Sequence, residues 1–401
     1  MRAAVDPTSA PPRPIRAFGI GAGEAAGAIA DLGVMVPLAT ALILVNGLDA
    51  SSVLVCAGLL VVGAGVAFKI PFPVQPLKAL TAVAVAQHLS PDVIHAAGLE
   101  IAAFLMLLSF HHVADVVARV FTTPVVRALQ FGVGVLLTIA AMKLVNEPPT
   151  VFAGTPEAPW PWVLMIAAFT GVVFASRTRH YWLAITIVVA GVAGTLITAA
   201  PGFSGPTVTL PSLSFPPFAA FGGAFFLLVV PQLPLTFGNA VVAVDDLSHR
   251  YFGPSADRVT PSRVCLSAGI GNAVSGILGG MPMCHGAGGL TAHARLGART
   301  AGMNLLLGTG LIGLGVFFAP QVPQILGLLP VWGLAAFLAF AGLRHAWLVS
   351  DLRGAELAIA VTAGAVGAWF GNLAITAAVA LVAVHVAVRL RQVRPPGTLG
   401  G

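Results

Sequence analysis

Two stretches of the sequence place helix-breaking and polar residues inside otherwise apolar surroundings. The first, at residues 69–86, is KIPFPVQPLKALTAVAVA, and three prolines within six positions cannot lie inside a helix. They predict an extended run that ends at Pro76, followed by a short helix through residues 77–87 with Pro76 at its first position. The free backbone N–H groups and the positive dipole end of such a helix are suited to binding an anion.

The second stretch, at residues 279–292, is GGMPMCHGAGGLTA and has the same character. Pro282 interrupts it, and a short helix follows to about residue 294. Its glycines would let a ligand approach the backbone closely, and they are Gly286, Gly288 and Gly289. Lys78 would add a full positive charge to the first helix start, and a lysine in apolar surroundings is a functional candidate.

The predicted anion site combines both stretches with polar residues of a third segment, at 218–244. Its members are Gln75, Pro76, Leu77, Lys78, Gln232, Asn239, His285, Gly286, Ala287, Gly288 and Gly289. Structural alternatives exist for three of the side chains. Lys78 would extend to a membrane surface or pair with Asp31. Gln75 would satisfy broken backbone groups, and His285 would be a hydrogen-bonded structural histidine.

Carboxylates in apolar segments are candidates for proton coupling, because burial favours their protonated form. Glu24 and Asp31 lie seven residues apart in the first apolar segment and share a helix face. Asp31 is the preferred proton-coupling residue, with Glu24 and His285 as further candidates and a salt bridge or helix cap as the alternative. The charged residues at 245–250 are predicted to form a solvated loop.

Composition decides the class of protein. Of 401 residues, 57% are hydrophobic and 8% are charged, and the mean hydropathy is +0.94, whereas soluble domains have about 25% charged residues. These values exclude a soluble enzyme, a disordered chain and a nucleic-acid-binding domain, and they indicate a protein embedded in a lipid bilayer. The sequence has no hydrolytic, redox or nucleotide-binding motif, and its cysteines have no metal spacing. We therefore expect no enzyme, no cofactor, no metal site and no nucleic-acid partner.

Fourteen apolar segments can be placed along the chain, and the third and tenth are the two broken stretches. They lie at 18–46, 52–69, 72–89, 93–110, 124–145, 161–176, 181–200, 218–244, 262–280, 281–294, 300–319, 324–343, 355–370 and 372–388. Arginines test this arrangement, because basic residues concentrate in cytoplasmic loops. With a cytoplasmic N-terminus, every arginine falls on the cytoplasmic side, and Lys143 is the only basic residue near the other face. Both termini are therefore predicted to be cytoplasmic.

An all-α membrane fold with two inverted halves follows from this count. The proline-rich loop at residues 201–217 leaves seven apolar segments on each side. Because seven is an odd number, the second half enters the membrane from the opposite face. The predicted ranges are a tail at 1–17, a first repeat at 18–200, an extracellular loop at 201–217, a second repeat at 218–390 and a tail at 391–401. Inversion would direct the starts of the two half-helices towards each other at the middle of the bilayer.

The motifs themselves resemble a known family. PFPVQPLKA at 71–79, PQLPLTFGNAVVAV at 231–244, GMPMCHGAGGL at 280–290 and LGARTAG at 296–302 are similar to sequences of the molybdate transporter family of plants, algae and bacteria, which is related to the sulfate permeases. The resemblance implies a seven-plus-seven inverted repeat, with a core domain of segments 1–4 and 8–11 and a gate domain of segments 5–7 and 12–14. It places the anion between the third and tenth half-helices.

These observations predict a secondary active transporter that imports a tetrahedral oxyanion, with molybdate preferred. Proton coupling is expected because a dianion entering a negative cell must be driven. Sulfate or tungstate as substrate, or an anion channel on the same scaffold, are the alternatives. Related nucleobase transporters carry a carboxylate in the eighth segment, where this chain has Gln232, which speaks against a nucleobase. The expected location is a bacterial inner membrane, and related folds often form homodimers.

Overall fold

The computed structural model describes residues 17–119, 121–148, 159–180, 182–199 and 205–393. The predicted tails at 1–17 and 391–401 lie almost wholly outside these residues. The described chain consists of helices and loops, together with two strands of two residues each, β1 (Gln75–Pro76) and β2 (Met283–Cys284).

The described residues of the first half form eight α-helices. They are α1 (Ala22–Leu44), α2 (Ala50–Phe68), α3 (Lys78–Ala86), α4 (Pro91–Ser109), α5 (Val113–Ala118), α6 (Thr123–Asn146), α7 (Trp160–Thr178) and α8 (Trp182–Ala199). Turn residues set their ends, as at α2, where the Asp49 side chain accepts a hydrogen bond of 2.7 Å from the Ser52 N–H. A 3₁₀ turn at Phe110–His112 separates α4 from α5.

In the second half, residues 205–393 form ten α-helices. They are α9 (Phe218–Ala224), α10 (Val230–Leu235), α11 (Ala243–Phe252), α12 (Pro261–Ile277), α13 (Ala287–Arg295), α14 (Gly302–Phe317), α15 (Val322–Gly327), α16 (Val331–Ala346), α17 (Gly354–Trp369) and α18 (Leu373–Val393). Further 3₁₀ turns lie at Gly253–Ala256, Ala319–Gln321 and Trp347–Asp351.

Six helices of the described chain are long and apolar enough to cross a membrane. They span Ala22–Leu44, Ala50–Phe68, Pro91–Ala118, Thr123–Asn146, Trp160–Thr178 and Val331–Asp351. A seventh crossing results if the bent pair Gly302–Phe317 and Ala319–Gly327 is counted as one span, and four shorter apolar helices accompany them. The prediction of a helical membrane protein is therefore confirmed.

Two predicted boundaries differ from the structure. The predicted segment at 324–343 is divided between α15 and α16, because Pro330 has no N–H to donate and adopts an extended conformation. The segment predicted at 218–244 continues as helix to Phe252 through π-helical turns at Phe225–Val229 and Thr236–Val242. These wider turns flank the sequence prolines 231 and 234, whose missing N–H groups interrupt the regular helix bonds.

Helices of the two halves pack against each other in pairs. The helix α2 packs on α14, α4 on α12, and α6 on both α16 and α17, while α1 contacts α13 and α16. The crossing of α2 and α14 is close because Gly58 and Gly308 face each other there. A Cβ atom on Gly58 would lie 2.5 Å from the Gly308 carbonyl oxygen. Small residues at helix crossings are typical of packing within a bilayer.

Candidate functional site

The two broken stretches lie side by side as a short antiparallel ladder. Gln75 pairs with Cys284 and Pro76 with Met283. The Leu77 N–H donates to the Pro282 carbonyl at 3.1 Å. The helices α3 and α13 therefore both begin at this ladder, three or fewer residues beyond it.

The start of α3 corrects one prediction. Pro76 is a strand residue, and the helix begins at Lys78, with Leu77 as its extended N-cap. Because the Leu77 N–H is bound to the facing stretch, the chain stays extended up to that residue. Lys78 therefore occupies the first position of the half-helix, where its charge adds directly to the positive helix end.

Two buried asparagines hold the extended stretches in place. The Asn272 side chain on α12 donates to the Met283 carbonyl at 2.7 Å and accepts from the Met283 N–H at 2.8 Å. Asn304 on α14 does the same for Phe72, donating at 2.7 Å and accepting at 2.9 Å. Each amide replaces a backbone partner that a continuous helix would supply. Neither asparagine was predicted as a site residue, although an asparagine in an apolar segment beside a break is a usable signal.

Backbone donors remain at both helix starts. On α3 the Leu80 N–H is bound by Gln232 Oε1 at 3.0 Å, but the Lys78 and Ala79 N–H groups have no hydrogen-bond acceptor among the described residues. On α13 the Gly289 N–H is bound by the Gly286 carbonyl at 3.0 Å. The same part of the structure offers no acceptor to the Ala287 and Gly288 N–H groups. Four N–H groups are thus left for a ligand.

A buried chain of side chains connects the site to α1. Lys78 Nζ donates to Gln75 Oε1 at 3.0 Å, and Gln75 Nε2 donates to Asp31 Oδ1 at 2.6 Å. The other carboxylate oxygen of Asp31 lies 3.4 Å from His293 Nε2. Gln75 therefore links Lys78 to Asp31. The alternative was a direct pair of Lys78 with Asp31, and the structure instead connects the two residues through the Gln75 amide. His293 was not identified from the sequence.

A cavity of about 630 Å³ lies in front of these residues. Three predicted site residues line it, namely Lys78, Gln232 and Asn239. Its other walls come mainly from α1, from α6 and from residues 370–373 at the start of α18, and they include Gly33, Pro37, Val133, Leu137, Lys143, Glu147 and Leu373. The remaining predicted residues are not part of this wall; they are Gln75, Pro76, Leu77, His285, Gly286, Ala287, Gly288 and Gly289.

The two amides of the eighth predicted segment have different surroundings. Gln232 is occupied by protein partners, because its Oε1 caps Leu80 and its Nε2 donates to Thr236 Oγ1 at 2.9 Å. Asn239 is 5% exposed, and its Oδ1 atom finds no hydrogen-bond partner in the described structure. The NH₂ group of Asn239 donates to no acceptor among the described residues, so it is available to a ligand.

Two other predicted residues have partners away from the cavity. His285 is fully buried, with Nδ1 2.9 Å from the Pro73 carbonyl and Nε2 3.1 Å from Ser267 Oγ. These contacts favour the structural alternative over anion or proton binding. Glu24 lies in the first turn of α1, where its Oε1 accepts from Thr300 Oγ1 at 3.2 Å. The structure therefore brings Asp31, and not Glu24, to Lys78.

A second polar cluster joins α6 to α11 and to the turn Trp347–Asp351. Arg127 is 4% exposed, and its guanidinium lies 2.7 Å from Asp246 Oδ2 and 2.8 Å from Asp351 Oδ2. Arg250 reaches the same Asp351 oxygen at 2.6 Å. The expectation of a loop at 245–250 is wrong, because these residues lie in α11, where the partly exposed side chains of Asp246 and Arg250 pair with these partners.

Solved structures of similar fold are membrane transporters. The transmembrane domain of a cyanobacterium bicarbonate transporter, BicA, matches with a TM-score of 0.57 at 16% identity, over 90% of this chain and 97% of that one. SLC26A9 matches with a TM-score of 0.55 at 14% identity, over 93% of this chain and 66% of that one. At these identities the likeness establishes the fold.

Sequence comparison establishes the family. A family model described as "Molybdate transporter of MFS superfamily" matches residues 23–137 and 224–344. Molybdate transporter 2 of Arabidopsis thaliana is 30% identical over 83% of this chain and 80% of its own length. Molybdate transporter 1 of Chlamydomonas reinhardtii is 28% identical over 82% and 84%. Because these relatives are transporters, the expectation that the chain is no enzyme is confirmed. The resemblance drawn from the motifs is confirmed as well, and the chain belongs to the molybdate transporter family.

Proposed function

We propose that this chain is a secondary active transporter for molybdate and that the anion binds at the starts of α3 and α13. The observation that carries the proposal is the common ladder from which both half-helices begin, with Lys78 at the first position of one of them. Family membership and the anion-transporter fold support the class of substrate. The residues of the site are our assignment.

The chemistry of the substrate matches the donors of this site. Molybdate is a tetrahedral dianion whose four oxygens accept hydrogen bonds and donate none at neutral pH. The helix starts provide unpaired N–H groups at Lys78, Ala79, Ala287 and Gly288, and the Asn239 amide adds a neutral donor. Positive charge comes from Lys78 and the two helix dipoles. The site therefore offers donors and positive potential, which a dianion requires once it is out of water.

We further propose alternating access by two inverted repeats, at 18–200 and 218–390, with fourteen crossings divided into core and gate domains. The cavity supports this because it extends to Lys143 and Glu147, at one end of α6. Near the other end of α6, the cluster of Arg127, Asp246 and Asp351 joins α6 to α11. Residues 127 and 143 are about 24 Å apart along the helix. With Lys143 outside, as the arginine distribution predicts, this is an outward-open state.

Thermal unfolding of the purified protein with a panel of anions tests the proposed substrate. A ligand present at 100 times its dissociation constant should stabilise the protein by about 2.7 kcal/mol. We expect molybdate and tungstate to raise the unfolding temperature at concentrations well below those needed for sulfate, with no effect of phosphate or uracil. Stabilisation by sulfate alone would change the substrate, and no stabilisation by any oxyanion would contradict the site. Single-channel currents would indicate a channel instead.

Proton coupling through Asp31 is part of the proposal. Asp31 is 1% exposed, and the Gln75 amide connects its carboxylate to the Lys78 amino group by two hydrogen bonds. A bound dianion would repel the Asp31 carboxylate and favour its neutral form, so one proton would accompany the substrate. His293, 3.4 Å from the carboxylate, is the neighbouring group that would exchange this proton. The homodimer and the bacterial inner membrane stay predictions.

The variant Asp31→Asn tests this coupling. Its amide oxygen would still accept the hydrogen bond from Gln75, so we expect molybdate binding to persist or strengthen. Uptake into proteoliposomes should then no longer respond to an imposed pH gradient. Glu24→Gln is the matched control, because Glu24 contacts Thr300 and not the site, and it should keep the response. An unchanged gradient response in Asp31→Asn would refute the coupling.

A further inference from the structure

A second cavity, separate from the one in front of Lys78, lies on the outer surface of the helix bundle. It is a groove of about 800 Å³ between α2 and α12. Cys56, Leu60, Phe68 and Gly271 line its apolar part. Leu59, Leu266 and Ile270 also line it and are 44–51% exposed, so the groove opens towards the hydrocarbon of the bilayer. Only an apolar chain would remain stably in such a place.

One end of this groove is positively charged. Arg258 and Arg263 line it there, beside the first turn of α12, and both are exposed. Neither guanidinium lies within 4 Å of a carboxylate in the described part of the chain, and Arg263 Nη1 donates only to the Arg258 carbonyl at 3.4 Å. The adjoining turn Gly253–Ala256 and the Thr260 cap mark this end as the membrane surface. Two arginines without a carboxylate partner at the interface would attract an anionic head group.

We propose that this groove binds one anionic phospholipid, with its phosphate at Arg258 and Arg263 and an acyl chain along α2 and α12. The two halves of the groove match the two parts of such a lipid. A soluble anion would leave the apolar walls open. A zwitterionic lipid would bring its phosphate together with an ammonium group, which the two guanidinium groups would repel. Basic pockets between transmembrane helices commonly hold such head groups.

The groove is connected to the anion site by a short contact path. Ser267 lines the groove, and its hydroxyl lies 3.1 Å from His285 Nε2. His285 in turn contacts the Pro73 carbonyl at 2.9 Å, on the other broken stretch. Phe68, on the opposite wall, has its ring 6.0 Å from that of His285. A lipid in the groove would therefore rest on residues that hold the two extended stretches together.

Lipid binding to the purified protein in detergent tests the charged end. Native mass spectrometry would compare phosphatidylglycerol with phosphatidylcholine. An arginine at a membrane surface contributes about fivefold in affinity for an anionic lipid, so Arg258→Ala with Arg263→Ala should weaken phosphatidylglycerol binding about 30-fold. Arg177→Ala with Arg179→Ala is the matched control, because these two arginines are exposed and do not line the groove. Equal losses in both double variants would overturn the proposal.

A variant that fills the groove tests the apolar part. A Cβ atom on Gly63, which lines the groove, would meet nothing within 4 Å, so Gly63→Leu should fold normally and occupy the acyl-chain space. It should weaken the binding of both lipids. Gly310→Leu on α14 is the control, since its Cβ also meets nothing within 4 Å and it lies outside the groove. Unchanged lipid binding in Gly63→Leu would contradict the site.

The contact path has its own measurement. Amide hydrogen exchange at residues 280–286 should be slower with phosphatidylglycerol than with phosphatidylcholine. Ser267→Ala should abolish that difference while the lipid still binds. If the exchange rates in the wild-type protein were equal with the two lipids, the lipid would not stabilise the ladder between β1 and β2. None of these measurements uses molybdate, so they test the lipid site independently of the proposed transport function.

Discussion

Replacing Lys78 by methionine is expected to abolish molybdate binding or to weaken it at least 30-fold. Lys78 begins α3 and lines the cavity, where it is the cation that contacts Gln75. Removing one partner of a desolvated charge pair costs about 2–5 kcal/mol, which corresponds to about 30-fold or more in affinity. Thermal unfolding measures this effect, when the rise of the unfolding temperature with molybdate concentration is compared between the wild-type protein and Lys78→Met.

Lys143 provides the matched control on the same cavity. It lies at the mouth, and its amino group is 3.8 Å from Glu147, in a pair whose two side chains are 72% and 71% exposed. Exposed pairs contribute little, so Lys143→Met should leave the dissociation constant within about threefold. If Lys78→Met kept its affinity, or if both variants lost it equally, Lys78 would be a structural residue and the anion site would lie elsewhere.

The second large effect is expected for Gly289→Ala. A Cβ atom on Gly289 would lie 2.5 Å from Gln75 Nε2, 3.0 Å from Asp31 Oδ1 and 3.0 Å from Pro73 Cβ. Since these atoms belong to the packed ladder and to the chain of side chains behind Lys78, one of them must move. Overpacking of this kind costs about 1–3 kcal/mol. We expect molybdate affinity to fall about tenfold or more, together with a lower unfolding temperature in the absence of ligand.

Gly288→Ala separates this effect from the general loss of a glycine. Its Cβ atom would lie 2.9 Å from Leu137 Cδ1, the end of a side chain on α6 that is able to turn away. Alanine also favours a helix over glycine by about 1 kcal/mol, and this gain applies equally to both variants. We therefore expect a clearly smaller change in Gly288→Ala. Equal effects at the two positions would show that contact with Gln75 is not what requires glycine at 289.

Local chemistry allowed much of the site to be predicted from sequence. Prolines and glycines restrict the backbone wherever they occur, so the extended stretches and the short helices after them follow from residues 71–76 and 282–289 alone. The predicted helix 77–87 differs from α3 by one residue at each end. The alternative that Gln75 satisfies broken backbone groups does not match its contacts, which are with the side chains of Lys78 and Asp31.

Features that depend on contacts distant in sequence could not be predicted in this way. Asn304 and its hydrogen-bond partner Phe72 are 232 positions apart in the sequence, and Arg127 and its partner Asp351 are 224 positions apart. No spacing rule connects such residues. Arg127 served only as a marker of the cytoplasmic side. The charges at 245–250 were assigned to a loop because polarity alone does not distinguish a solvated loop from a helix that pairs with a buried arginine. For the same reason the sequence did not reveal His293 beside Asp31.

The ladder between β1 and β2 also determines when during synthesis the site is able to form. Gln75 and Cys284 are 209 positions apart, and the acceptor that caps Leu80 is Gln232. A ribosome adding 5–20 residues per second needs about 10–40 seconds to make the intervening chain. During that interval the extended stretch has no partners, and each unsatisfied backbone group in hydrocarbon costs several kcal/mol. The first stretch must therefore wait at the surface, in water or within the insertion machinery, and it enters the bilayer only together with the second.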